Sequence, residues 1–148
     1  MLYPINEIFY SIQGEGFHAG RPAIFIRLSG CNLKCPWCDT DHSKYRMTSE
    51  EEIASIVKKM MHGIEYKQHI LIVITGGEPG IFELDSLIDC LRMKSLKNII
   101  AIETNGTRAD SLLRFNNLCC WVTISPKIKE FDYSELFKNT NWFGDELK

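Results

Sequence analysis

Cys31, Cys35 and Cys38 lie in the run Cys-Asn-Leu-Lys-Cys-Pro-Trp-Cys, separated by three residues and then by two. Three thiolates this close in sequence can converge on one inorganic centre. A cubane iron–sulfur cluster has four iron corners, so three cysteines leave one iron open to a second molecule. Zinc is the rival reading, but a structural zinc takes four ligands from paired Cys or Cys/His sets. His18, His42, Cys119 or Cys120 would have to complete such a site. A disulfide would leave one thiol of the three unpaired. Ligand counting favours redox chemistry at an open metal corner, provided that other loops build a pocket beside it.

Several other residues could build that pocket. Gly76-Gly77-Glu78-Pro79 follows an apolar run. Paired glycines let a ligand approach the backbone, and the Glu78 carboxylate could hold an ammonium group; the plainer reading is a tight turn. Gln13-Gly14-Glu15-Gly16 is a second open loop, equally readable as a flexible turn. Arg27 is either a solvated charge or a planar donor fork for a substrate carboxylate. Thr40, two residues past Cys38, either ends a turn or offers a hydroxyl to Mg²⁺, a cation that takes oxygen donors and keeps several waters. Asp39 and Asp41 make the field there favourable to a cation. Lys127, after Ser125-Pro126, is a surface lysine or sits over a ligand carboxylate. Cys90 reads as a core residue, and Cys119 and Cys120 as packing residues.

The elements that must position these loops are visible as a pattern. Four β-branched runs recur, Ala23–Leu28, Ile70–Thr75, Asn98–Glu103 and Trp121–Ser125. Thr48 and Glu51 suggest a capping box, followed by an apolar helical face of Ile53, Ile56, Val57, Met60 and Met61, with Gly63 as its stop. Leu84, Leu87, Ile88 and Leu91 suggest a second helix, and Ala109–Phe115 a third. Strands alternating with helices imply an α/β fold with a parallel sheet. Ligands of such sheets sit beyond the carboxyl ends of the strands. The four runs lead respectively into the cysteine loop, the Gly-Gly-Glu-Pro loop, Thr104-Asn105-Gly106 and Ser125-Pro126-Lys127.

The bulk properties set limits. A chain of 148 residues suits a single domain over 1–148, with no repeat or linker composition. A net charge of −2 provides no basic field to draw nucleic acid. Neither a signal peptide nor a membrane span is expected. Six cysteines then fit a reducing, cytoplasmic setting, where clustered thiols bind metal or do chemistry.

With these residues in view, the chain resembles the radical S-adenosylmethionine (SAM) superfamily, whose hallmark is Cys-x-x-x-Cys-x-x-Cys. Glu7 through Gly16, Arg27 through Cys31 and Trp37-Cys38-Asp39-Thr40 are similar to the 7-carboxy-7-deazaguanine synthase family. Thr75–Pro79, Glu103–Thr107 and Ser125–Lys127 extend the likeness along nearly the whole chain.

The resemblance implies a partial (β/α) barrel of parallel strands, a 4Fe–4S cluster on Cys31, Cys35 and Cys38, and SAM chelated at its open iron. It implies SAM contacts at Trp37, Cys38, Asp39, Gly77, Glu78, Ser125, Pro126 and Lys127. The pterin substrate, 6-carboxy-5,6,7,8-tetrahydropterin, would be held by Ile12, Gln13, Gly14, Arg27 and Thr75, with Mg²⁺ on Thr40 orienting its carboxylate. A deoxyadenosyl radical would abstract hydrogen, and ring contraction with loss of ammonia would give 7-carboxy-7-deazaguanine, in queuosine and deazapurine biosynthesis. A flavodoxin- or ferredoxin-type protein would donate the electron.

Two other functions share the cysteine motif: a glycyl-radical-enzyme activase, and an inactive cluster-binding remnant. The second follows from Asp145-Glu146-Leu147-Lys148, which reads as the approach to a further strand of a C-terminally truncated fold. The open sheet edge expected there also suggests a homodimer. Gly80 and Ile81, after Pro79, depart from the family pattern.

Overall fold

The fold is taken from a computed structural model that describes residues 1–62, 64, 70–95, 98–118, 120–129, 132–134 and 146–147. The strands are β1 (Leu2–Ile12), β2 (Pro22–Leu28), β3 (Arg46–Ser49), β4 (Leu71–Gly76), β5 (Ile99–Thr104), β6 (Trp121–Ile124) and β7 (Glu146–Leu147). The helices are α1 (Glu50–Met61), α2 (Asp85–Ser95) and α3 (Ala109–Asn117). One sheet runs in the order β3-β1-β2-β4-β5-β6-β7.

From β2 onward every pairing is parallel, as β-branched runs separated by helices require. The register sets Ala23 beside Leu71, Ile72 beside Ile100 and Ile102 beside Val122. The four expected strands are all present. The short strand Glu146–Leu147 joins β6 where the sequence suggested a further strand. The purely parallel expectation needs one correction. β1 runs antiparallel to β2, with Ile12 opposite Pro22, and β3 runs antiparallel to β1. The short loop between β1 and β2 returns the chain directly, so this edge of the sheet is a ribbon rather than a crossover unit.

Alternation along the strands makes two unequal faces. Ile24, Ile26, Leu28, Ile72, Ile74, Ile100, Ile102, Val122 and Ile124 pack with the helices' Ile53, Val57, Leu84, Leu87, Ile88, Leu91, Leu112 and Phe115. The other face is small: Ala23, Phe25, Leu71, Val73 and Ala101, edged by Phe9 and Trp121. Phe9 stacks on Phe25 with ring centroids 5.1 Å apart. No helix lies over this second face among the described residues, which leaves room for a ligand above it.

The start of α1 differs from its expected cap by one residue. Ser49, not Thr48, is the N-cap, and its Oγ accepts from the Glu52 N–H at 3.3 Å. Thr48 is the last but one residue of β3, is buried, and turns its hydroxyl to the Arg46 carbonyl at 3.1 Å. The Ser49 hydroxyl caps the helix one step along, while the Glu52 carboxylate accepts from Arg46 at 2.6 Å. The helix buries Ile53, Ala54, Val57 and Met61, and His62 is its C-cap; Gly63 lies outside the described residues. Leu84, Leu87, Ile88 and Leu91 are all buried, as their spacing required.

Candidate active site

The carboxyl ends of β2, β4, β5 and β6 open into one cavity of about 440 Å³, within the range of small-molecule sites. Of the residues expected to act here, Gln13, Gly14, Arg27, Cys31, Cys35, Trp37, Cys38, Asp39, Thr40, Thr75, Gly77, Ser125 and Lys127 line it. Loops far apart in sequence therefore converge as the strand topology required.

All three loop cysteines are free thiols and at least partly accessible. The Cys38 N–H donates to the Cys35 carbonyl at 3.1 Å, closing a turn that brings the last two together. Cys31 Sγ accepts from the Leu33 N–H at 3.4 Å, and the Asn105 amide is 4.0 Å from the same sulfur. Burial pushes the Cys31 thiol up, helped by the charges of Glu78, Cys35 and Cys38 and opposed by the Leu33 N–H. A metal that takes this thiolate must therefore displace its proton.

The donor set fits an iron–sulfur cube. Three free thiols line one cavity, and the Leu33 N–H and the Asn105 amide already point at the Cys31 sulfur. Among the described residues no three His, Cys, Asp or Glu side chains are gathered as ligands of a single ion. A cube binds each cysteine at a different corner and does not ask for that gathering. Of the groups that could complete a zinc site, His18 and Cys120 are engaged elsewhere, whereas His42 stands beside Cys38, its Nε2 3.7 Å from Sγ. His18 is buried, its Nδ1 bonded to Arg21 at 2.8 Å and its ring against Trp121. Cys120 is buried near Arg92, and Cys90 is in the core, as expected of both. Cys119 lies outside the described residues.

Glu78 calls for a correction. Its side chain is fully buried rather than directed into the cavity. Oε1 accepts from the Gly80 N–H at 2.7 Å and the Thr104 hydroxyl at 2.5 Å, and Oε2 from the Asn105 N–H at 2.7 Å. Its acceptors are committed to the protein, leaving no reason to assign it a ligand's ammonium. Burial raises its carboxyl above the ordinary range, against these three bonds and the charge of Arg108. It ties the β4 loop to the β5 loop. Asn105 carries the tie onward: its Nδ2 donates to Asn32 Oδ1 at 3.0 Å, and Asn32 donates to Thr107 Oγ1 at 2.7 Å. The departure at Gly80 belongs to the same arrangement, since a Cβ there would lie 2.7 Å from Glu78 Oε1.

The glycine pair also lets the two loop backbones meet. Gly77 donates to the Leu28 carbonyl at 2.8 Å, and Glu78 to the Gly30 carbonyl at 2.9 Å. A Cβ on Gly77 would stand 1.7 Å from Gly30 O, and Gly76 has φ +108° with Leu28 O 2.4 Å from its would-be Cβ. The close approach is of one loop backbone to the other, directly beneath Cys31. Gly77 still borders the cavity.

On the opposite wall, Gln13 Nε2 donates to Glu103 Oε1 at 2.8 Å and the Thr75 hydroxyl to Glu103 Oε2 at 2.9 Å. Arg27 pairs with Glu7 at 3.3 Å and lies over the Phe9 ring, 5.5 Å from its centroid. Thr40 Oγ1 is 3.3 Å from Asp39 Oδ1. Lys127 Nζ donates to Ser125 Oγ at 2.8 Å. Ile12 and Pro126 are not part of the cavity wall; Ile12 is exposed at the end of β1.

The cavity also contains Glu103, Thr104, Asn105 and Thr123, to which the sequence reading gave no individual role, and His42, which it offered only to zinc. A signal existed for three of them. Glu103 ends the third apolar run, and Thr104 and Asn105 follow it directly.

Comparison with known proteins agrees with this geometry. Residues 25–142 match the model of the Radical SAM superfamily. A 7-carboxy-7-deazaguanine synthase of Bacteroides thetaiotaomicron is 45% identical over 127 residues, 86% of this chain and 62% of the relative. The enzyme of that name from Escherichia coli K12 is 38% identical over 169 aligned positions, covering all of this chain and 71% of the relative. The crystal structure of QueE from Escherichia coli superposes with a TM-score of 0.69 at 34% identity, over 87% of this chain and 61% of that one. The chain thus spans about three-fifths to seven-tenths of the length of these relatives.

Proposed function

Because the chain belongs to the radical SAM superfamily, which implies a 4Fe–4S cluster and SAM, we propose that it is a 7-carboxy-7-deazaguanine synthase. The reaction is conversion of 6-carboxy-5,6,7,8-tetrahydropterin to 7-carboxy-7-deazaguanine with loss of ammonia. The observation that carries the proposal is the meeting of three free cysteines with Gln13, Arg27 and Thr75 in one cavity. The cysteine motif alone belongs to many reactions; the polar residues that share its cavity support a substrate site there.

Cys31, Cys35 and Cys38 hold the cluster. When bound, the cluster and SAM would supply radical hydrogen-abstraction chemistry. Trp37, Cys38, Asp39, Gly77, Ser125 and Lys127, which line the cavity, are the residues we assign to SAM, together with Pro126 between the last two. Lys127 is the cation suited to the methionine carboxylate. Gln13 and Gly14, continued by Ile12, hold the pterin with Thr75, and Arg27 offers its donors to the pterin's carboxylate. The Thr40 hydroxyl, beside Asp39, would hold a Mg²⁺ that orients the substrate. The protein binds, orients and excludes water, and the cofactor carries the difficult chemistry.

The electron comes from a flavodoxin- or ferredoxin-type partner in a reducing cytosol, and a second copy of the chain pairs at the sheet edge. Among the described residues no helix is long and apolar enough to cross a membrane.

Anaerobic reconstitution with iron and sulfide tests the proposal. The loaded protein, given SAM, Mg²⁺ and a strong one-electron reductant, is expected to release ammonia and 7-carboxy-7-deazaguanine from the carboxytetrahydropterin. A full complement of cluster and reductive SAM cleavage without that product would overturn the lyase assignment. Omission of Mg²⁺ is expected to slow turnover at least tenfold, and T40A to abolish the response to Mg²⁺.

A further inference from the structure

His42 is three residues beyond Asp39, in the loop that leads away from the cysteines, yet it returns to the end of β2. The Ser29 hydroxyl donates to the His42 carbonyl at 2.9 Å, and the Gly30 N–H donates to His42 Nδ1 at 3.2 Å. Ser29 and Gly30 directly precede Cys31, so the ring is clamped to the root of the cysteine loop. Its other nitrogen, Nε2, lies 3.7 Å from Cys38 Sγ.

The Gly30 contact decides what that second nitrogen can be. A backbone N–H only donates, so Nδ1 presents its lone pair. A neutral imidazole has one such nitrogen, and the proton is therefore on Nε2. Ligating a metal through Nε2 would move the proton to Nδ1 and forfeit the Gly30 hydrogen bond, which counts against His42 as a fourth zinc ligand. With its proton on Nε2, the ring can donate N–H to sulfur. In the free thiol, Cys38 Sγ turns its own hydrogen to the Thr40 carbonyl at 3.8 Å. A metal-bound thiolate has no hydrogen to give, so only acceptance remains to that sulfur.

We propose that His42 is a positioning residue that donates an Nε2–H hydrogen bond to Cys38 Sγ and thereby raises the reduction potential of the cluster. The inference rests on the cluster reading above. The oxidised cluster gains one electron from the reductant, and no proton or bond changes hands. The added negative charge spreads onto the cysteine sulfurs, so a donor to sulfur stabilises the reduced form more than the oxidised one. Leu33 N–H and Asn105 amide serve Cys31 in the same sense, from a different side.

The test uses wild type, H42F and H42Q, reconstituted and assayed for iron and sulfide, then titrated anaerobically with EPR detection in the absence of SAM. Loss of the donor in H42F is expected to shift the reduction equilibrium about tenfold toward the oxidised cluster, about 59 mV for one electron. The amide of H42Q is expected to restore most of that difference. An unchanged potential in H42F, or one as low in H42Q as in H42F, would overturn the proposal. Nitrogen-15 spectra of the metal-free wild type, taken above the ordinary histidine range, give a check that needs no variant to assemble. They are expected to show the proton on Nε2; a proton on Nδ1 would overturn the proposal. If wild type takes up no cluster at all, the cluster reading falls first and this inference with it.

Discussion

At the scale of single residues, the site is governed by which acceptors are already occupied. Glu78 accepts from three protein donors in a fully buried place. Its raised carboxyl means that the folded chain holds a proton more tightly than the unfolded chain. Its contribution to stability is therefore full below the ordinary glutamate value and declines as pH rises through the elevated folded value. In E78Q that decline is expected to vanish, while the amide forfeits one acceptor at a cost of about 1–3 kcal/mol. Urea unfolding across a pH series reads both effects. Asp41 shows the opposite sign. The Ser43 hydroxyl, the Ser43 N–H and Lys44 hold its carboxyl down to about 2. Its contribution is present above the ordinary aspartate value and is lost as pH falls through about 2. S43A is expected to return the Asp41 titration, followed by its carboxyl carbon-13 shift, toward the ordinary value.

At the scale of elements, the loops depend on how strands deliver them. The approach of Gly77 to Gly30 fastens the β4 loop to the base of the cysteine loop. G77A is expected to cost about 3 kcal/mol, the upper end of overpacking, and to make Cys31 react faster with a thiol reagent. S49A at the start of α1 is expected to cost about 1 kcal/mol, with no effect on thiol reactivity. Sequence periodicity found the helices and the inner strands because their apolar contrast is strong. It missed β1, where a register shift between Ile5 and Glu7 breaks the alternation and the later residues are mostly exposed. It missed β3 because four residues are too few to show a period. The cap at Ser49 was displaced because Thr48-x-x-Glu and Ser49-x-x-Glu satisfy the same rule, and only strand pairing chooses between them.

At the scale of the whole molecule, the parallel sheet made the site legible. Once four strands were placed, their carboxyl ends had to bring the cysteines, Gly77, Thr75 and Ser125 to one edge. The inward turn of Glu78 was not legible, since sequence says that a carboxylate follows two glycines and not which N–H groups it meets. The Gly30 bond to His42 was equally hidden, because it joins a side chain to a backbone twelve residues away. The two faces of the sheet also make a test. Ile74, fully buried beneath the helices, is expected to cost about 2–5 kcal/mol as Ala, measured by the unfolding midpoint.

The antiparallel ribbon of β1 and β2 has a consequence for the order in which the chain assembles. Its two strands meet across one short loop, whereas β2 meets β4 only after β3 and α1 have intervened. Loop closure favours the nearer partner. During synthesis the ribbon can therefore zip while the later strands are still being made. It then exposes the unpaired side of β2 as a template on which β4 aligns. The wall bearing Gln13 and Arg27 exists before the cysteine loop acquires its floor, and a slip of register in that first ribbon would be inherited by every strand added after it.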